Sequence, residues 1–178
     1  MTETTETQDL TTRSTGIRYG VIYGVIGIVY FLIFNLADLD MSKGIGKYGT
    51  WLIGFVIVFL AHKYFKENGN GFMSYGQGVG ISFWIGLICS VLSSVFTFIY
   101  IKFVDSGFIT KMRETAIADM EAKGQSEEQI EMAMKFVDMF MSPGAMLAFG
   151  IIFGIIGTII VGLLVSIVTQ KPRPEPAI

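Results

Sequence analysis

Four stretches of this 178-residue chain, 19–37, 50–61, 79–101 and 145–169, contain no Asp, Glu, Lys or Arg. No other feature narrows the possible folds as far. A hydrocarbon layer about 30 Å thick is crossed by about 20 apolar residues of α-helix. Backbone inside that layer must satisfy its own hydrogen bonds. Helices of a soluble protein carry a polar face, whereas these runs are apolar on every side. Composition agrees: 16% of residues are charged, against about 25% in soluble chains, and mean hydropathy is +0.58. The pattern predicts an all-α membrane protein, with four transmembrane helices at about 17–37, 49–65, 77–102 and 144–169 in an antiparallel bundle. The second run is the shortest and also fits a re-entrant helix. Trp51 and Tyr64 stand at its ends, where interfacial aromatics gather, and favour a full crossing.

The first run is read as a retained helix rather than a signal peptide. Glu3, Glu6 and Asp9 precede it with only Arg13 and Arg18, and no small-x-small cleavage site follows. Four spans put both termini on one side, together with Arg13, Arg18, Lys63, Lys66, Lys171 and Arg173. The other side carries seven basic and ten acidic residues. Basic residues near helix ends mark the cytoplasmic face, so the expectation is a multi-pass membrane protein with cytoplasmic termini. Residues 1–15, rich in Thr and Glu, are expected to be a disordered tail, and 171–178 a proline-rich extended tail.

Within the domain 16–170, the segment 105–142 is charged yet periodic. Ile109, Met112, Ala116 and Met120 follow helical spacing as far as Lys123-Gly124, a helix stop. Ser126-Glu-Glu-Gln129 reads as a capping box, and Ile130, Met134, Val137 and Met141 share one face of the helix that follows. Ser142-Pro143-Gly144 breaks the chain before the fourth span. An amphipathic helical loop between spans three and four is therefore expected. It is rich in methionine, and Met112, Met120, Ile130, Met134, Val137 and Met141 form a possible surface for a partner. Copper binding is disfavoured, because tight Met-x-x-Met clusters with His or Cys companions are missing.

Small residues recur at four-residue spacing. Gly16, Gly20 and Gly24, then Gly27, mark the first span; Gly78, Ser82, Gly86, Ser90 and Ser94 the third; Gly150, Gly154, Gly157 and Gly162 the fourth. Lipid tails are as apolar as leucine, so membrane helices associate through close backbone approach at such positions. The shared spacing of Gly20, Gly24, Gly27 and Gly150, Gly154, Gly157 suggests that the first and fourth spans pair.

Chemistry-bearing residues are sparse. No ionisable group lies at mid-span, where an ion pathway would place one. His62 sits at a predicted helix end beside Lys63 and reads as an interfacial residue, and Cys89 as a small core residue. With one His and one Cys, neither a catalytic nucleophile–His–acid set nor a metal site can be assembled. A net charge of −2 excludes nucleic acid as a partner. The expected function is thus non-enzymatic and cofactor-free: a structural or accessory membrane subunit acting through helix packing and its extracytoplasmic loop. Its partners would be the lipid bilayer and another membrane protein or a second copy. The alternative is a small transporter or channel with a path lined by Ser82, Ser90, Ser94 and Thr97.

The layout resembles a known family. The glycine-rich Tyr19-Gly20-Val21-Ile22-Tyr23-Gly24, the stretch Phe72-Met73-Ser74-Tyr75-Gly76-Gln77-Gly78, the long Glu- and Met-rich loop and Ser142-Pro143-Gly144 carry the likeness from about Arg18 to Gln170. It resembles the small bacterial inner-membrane proteins grouped as domain of unknown function 4199, common in Bacteroidetes. The resemblance implies a four-helix membrane domain and brings no activity with it.

Overall fold

The computed structural model describes residues 10–37, 39, 41 and 44–174. Among these there are six helices: α1 (Thr12–Leu36), α2 (Gly44–Asn68), α3 (Tyr75–Phe103), α4 (Phe108–Ala122), α5 (Glu127–Met141) and α6 (Pro143–Thr169). An isolated antiparallel bridge joins Met73 to Lys171. Helices α1, α2, α3 and α6 are each long and apolar enough to cross a membrane. The chain is an all-α membrane protein.

Two boundaries differ from the sequence expectation. Helix α1 begins at Thr12, so residues 12–15 are helical and not part of a disordered tail; residues 1–9 lie outside the described residues. The cause is a capping box that sequence spacing alone did not bring forward. Thr11 Oγ1 accepts from the Ser14 N–H at 3.0 Å, and the Thr11 N–H donates to Ser14 Oγ at 3.0 Å. Helix α2 runs for 25 residues, past both ends of 49–65, and is long enough to cross. Lys47, Lys63 and Lys66 interrupt the apolar run but not the helix, because long side chains carry their charge away while the stem stays in apolar surroundings.

Helix α3 opens with a second box: the Gln77 N–H donates to Ser74 Oγ and the Ser74 N–H to Gln77 Oε1, at 3.2 and 2.8 Å. Helix α4 ends at Ala122, and the chain turns away at Gly124, whose φ of +73° is reached without strain by glycine. Ser126 and Gln129 then cap α5 reciprocally, as their spacing predicts. Pro143 starts α6, where its missing N–H leaves no intrahelical bond unmade.

The chain divides into two compact units. The first comprises residues 1–89 and 154–178, with α1, α2, the first half of α3 and the second half of α6. Its core is built from Ile57, Val58, Ala61, Ile81, Ile85 and Val161. Glycines set how closely its helices approach. A Cβ on Gly20 would stand 2.8 Å from Ile88 Cβ and 3.1 Å from the Ile85 carbonyl oxygen, and one on Gly16 would stand 2.9 Å from the Ile81 carbonyl oxygen. Gly16 and Gly20 therefore face α3. On α6, Gly162 faces Ser82, again on α3, and Gly157 faces Trp51 of α2. At the positions where the neighbour is defined, the glycines expected to pair the first and fourth spans meet other helices: Gly20 meets α3 and Gly157 meets α2. Tyrosines seat in the notches of α2. Tyr23 Oη donates to the Thr50 carbonyl at 3.0 Å beside Gly54, and Tyr30 Oη to the Ile45 carbonyl at 2.6 Å beside Gly49.

The second unit is residues 90–153. Helices α4 and α5 form the expected hairpin, joined by an ion pair of Arg113 with Asp138 at 2.9 Å. Both partners are largely exposed, so the pair adds at most about 1 kcal/mol. Met134 is buried, while Ile130, Val137 and Met141 beside it are half-buried. A Cβ on Gly150 would stand 2.6 Å from Ser94 Oγ, and Phe140 packs on Phe149 with ring centroids 4.6 Å apart.

Candidate functional site

In the first unit the end of α2, the start of α3 and the end of α6 come together, and they enclose a polar cluster. Its centre is His62, which is fully buried. This corrects the interfacial reading: α2 continues to Asn68, so His62 lies a turn and a half inside the helix and the ends of α3 and α6 close over it. His62 Nε2 is 2.9 Å from the Gly78 carbonyl oxygen and Nδ1 is 2.8 Å from Thr169 Oγ1. Ser82 Oγ donates to the same Gly78 carbonyl at 3.0 Å, and Lys66 Nζ donates to the Thr169 carbonyl at 2.7 Å. Five residues from three helices thus share one hydrogen-bonded knot.

The wiring fixes the proton on one ring nitrogen. A carbonyl oxygen can only accept, so Nε2 must carry a proton toward Gly78. In the neutral ring Nδ1 is then an acceptor, and Thr169 supplies the one hydroxyl proton that can reach it. That proton has a second acceptor within reach, the Val165 carbonyl at 2.8 Å. Both ring nitrogens are therefore used in holding three helices together. Ser166 Oγ, also fully buried, has no hydrogen-bond partner among the described residues. It lies against Gly78, which must lack a side chain for this contact to exist.

The family covering these elements, described as Protein of unknown function (DUF4199), matches residues 18–171. The chain belongs to the DUF4199 family. No curated protein and no solved structure matches it.

Of the residues singled out by sequence in this DUF4199 protein, Gly16, Gly20 and Gly24 are buried in α1 and Gly27 is half-buried. Gly78 and Ser82 enter the histidine cluster. Gly86 faces Thr158 of α6, whose hydroxyl donates to the Gly154 carbonyl at 2.9 Å. Ser90 and Ser94 are buried, Thr97 is half-buried, and Ser94 faces Gly150. Ser82 and Ser94 thus sit against glycine at close range.

The loop surface needs a correction. Met134 is buried and Ile130, Val137 and Met141 are half-buried, so this face is partly covered within the protein. Met112 is just exposed and Met120 half-buried. The exposed apolar residues of α5 are instead Met132, Phe136, Met139 and Phe140, at 60, 62, 58 and 41%. They too recur at helical spacing, and two apolar stripes on one short helix compete for the same periodic signal.

Proposed function

We propose that this DUF4199 protein is a non-enzymatic structural or accessory subunit of a membrane assembly, engaging its partner through the second apolar stripe of α5. The observation that carries the reading is that stripe. Met132, Phe136 and Phe140 recur every four residues on a charged 15-residue helix and are exposed. Contiguous exposed apolar surface of this kind marks interaction sites in proteins, and methionine suits a surface that must adapt. The acidic Glu127, Glu128 and Glu131 near the start of α5 favour a protein partner over an anionic lipid surface.

A non-catalytic role is supported by the commitment of both nitrogens of the one histidine to helix–helix hydrogen bonds. The packing of Ser82 against Gly162 and of Ser94 against Gly150 supports helix association over a hydroxyl-lined path. For orientation, the described segments 10–18, 62–78 and 170–174 hold six basic residues and one acidic residue, which favours cytoplasmic termini.

The test is crosslinking in native membranes from a photoreactive residue at Phe136, read by mass spectrometry. One discrete membrane-protein adduct is expected, and Met132→Glu should abolish it while leaving the melting curve of the purified protein unchanged, since Met132 is solvent-facing. Adducts only to lipid, or no effect of Met132→Glu on the adduct, would contradict the reading.

A further inference from the structure

An apolar groove of about 390 Å³ runs between α2 and α6 in the first unit. Phe55, Val56, Phe59 and Leu60 line it from α2, and Leu164 and Val168 from α6. The volume lies in the range of small-molecule sites. A partner helix, about 10 Å across, would rest over such a groove, whereas a single hydrocarbon chain would enter it.

The groove ends in positive charge. Lys63 follows Phe59 by four residues and Leu60 by three, so it occupies the same face of α2 one turn on. Its side chain is 57% exposed, with Glu67 at 3.8 Å, a contact too open to hold it. Thr169 closes the α6 wall, and its carbonyl takes one of the three donors of Lys66. Within one helical turn, an apolar wall passes into two ammonium groups. The rest of that end reinforces the sign: Arg13, Arg18, Lys171 and Arg173 join them among the described residues, against Glu67 alone.

We propose that the groove binds an anionic phospholipid, with one acyl chain along the α2–α6 walls and the phosphate held by Lys63 and Lys66. Contact with the chain is common to every lipid of the bilayer. Selectivity for this lipid class must therefore come from the two lysines. The site is independent of the α5 stripe and stands whether or not that stripe has a partner.

Native mass spectrometry of the full chain in detergent, titrated with phosphatidylglycerol or phosphatidylcholine of identical acyl chains, tests this directly. Phosphatidylglycerol should bind more tightly, and Lys63→Gln should reduce that preference about fivefold, the weight of one basic residue at an anionic surface. Val168→Trp, at a position 81% exposed and so compatible with folding, should fill the groove and weaken both lipids together. Glycerol phosphate without acyl chains should fail to displace the bound lipid. Equal affinity for the two lipids, an unchanged preference in Lys63→Gln, displacement by glycerol phosphate, or a dimer in place of lipid adducts would each overturn the proposal.

Discussion

Gly162→Ala is expected to destabilise the protein by about 1–3 kcal/mol, although alanine is the better helix former. Two effects of opposite sign meet at this position. Replacing a helical glycine by alanine contributes about 1 kcal/mol in favour of the helix, because the chain loses less freedom on folding. Against it, the new methyl group would coincide with Cβ and Oγ of Ser82 on α3. Ser82 cannot swing aside: it is fully buried, and its hydroxyl donates to the Gly78 carbonyl at 3.0 Å. The overlap is with Cβ as well as Oγ, so a rotamer change does not relieve it and the helices must separate. Steric overlap wins. The control is Gly76, in the first turn of the same α3, where an added Cβ meets nothing within 4 Å. Gly76→Ala should be neutral or stabilising by up to about 1 kcal/mol. Melting curves of both variants in one detergent decide the matter by the difference in sign. Two variants that shift the curve the same way would show that propensity, not close approach, governs these glycines.

Thr169→Val has the next largest expected effect, a loss of about 1–3 kcal/mol, the cost of leaving a buried polar atom unpaired. The exchange keeps the shape of the side chain and removes only Oγ1. His62 Nδ1 then faces an apolar methyl in a site closed to water. Thr169→Ser retains the hydroxyl and should lie close to the parent. A double-mutant cycle with His62→Phe isolates the pair: once the imidazole is gone, Thr169→Val should cost less, with a coupling of about 0.5–3 kcal/mol. Nitrogen-15 spectra of the histidine ring should show the proton on Nε2, the atom 2.9 Å from the Gly78 carbonyl. Additive mutational costs, or a ring protonated only on Nδ1, would mean that this wiring is wrong.

The two results bear on what the sequence makes visible. The spans are legible because a helix in lipid needs apolar residues all round, and that leaves an unbroken run in the one-dimensional pattern. The α4–α5 hairpin is legible for a similar reason: Gly124, the Ser126–Gln129 box and the Ile130, Met134, Val137 spacing are local signals, complete within a few residues. The partners of the glycine faces are not. A notch at Gly20 or Gly162 says that something comes close, and only the fold says that α3 does. The histidine cluster was hidden most completely, because His62 meets Thr169 across 107 positions and each member alone is an ordinary residue of its helix. The second α5 stripe was hidden by the first.

The reading rests on four crossings that return the chain to the face where α2, α3 and α6 enclose His62. The most direct measurement places single cysteines at Asn70, Ser126 and Arg173 in a Cys89→Ser background, one per variant, and labels them in intact and in permeabilised cells with a membrane-impermeant maleimide. Asn70→Cys and Arg173→Cys should react from one side and Ser126→Cys from the other. Labelling of Asn70→Cys and Arg173→Cys from opposite sides, or of all three from the same side, would contradict the four-span account.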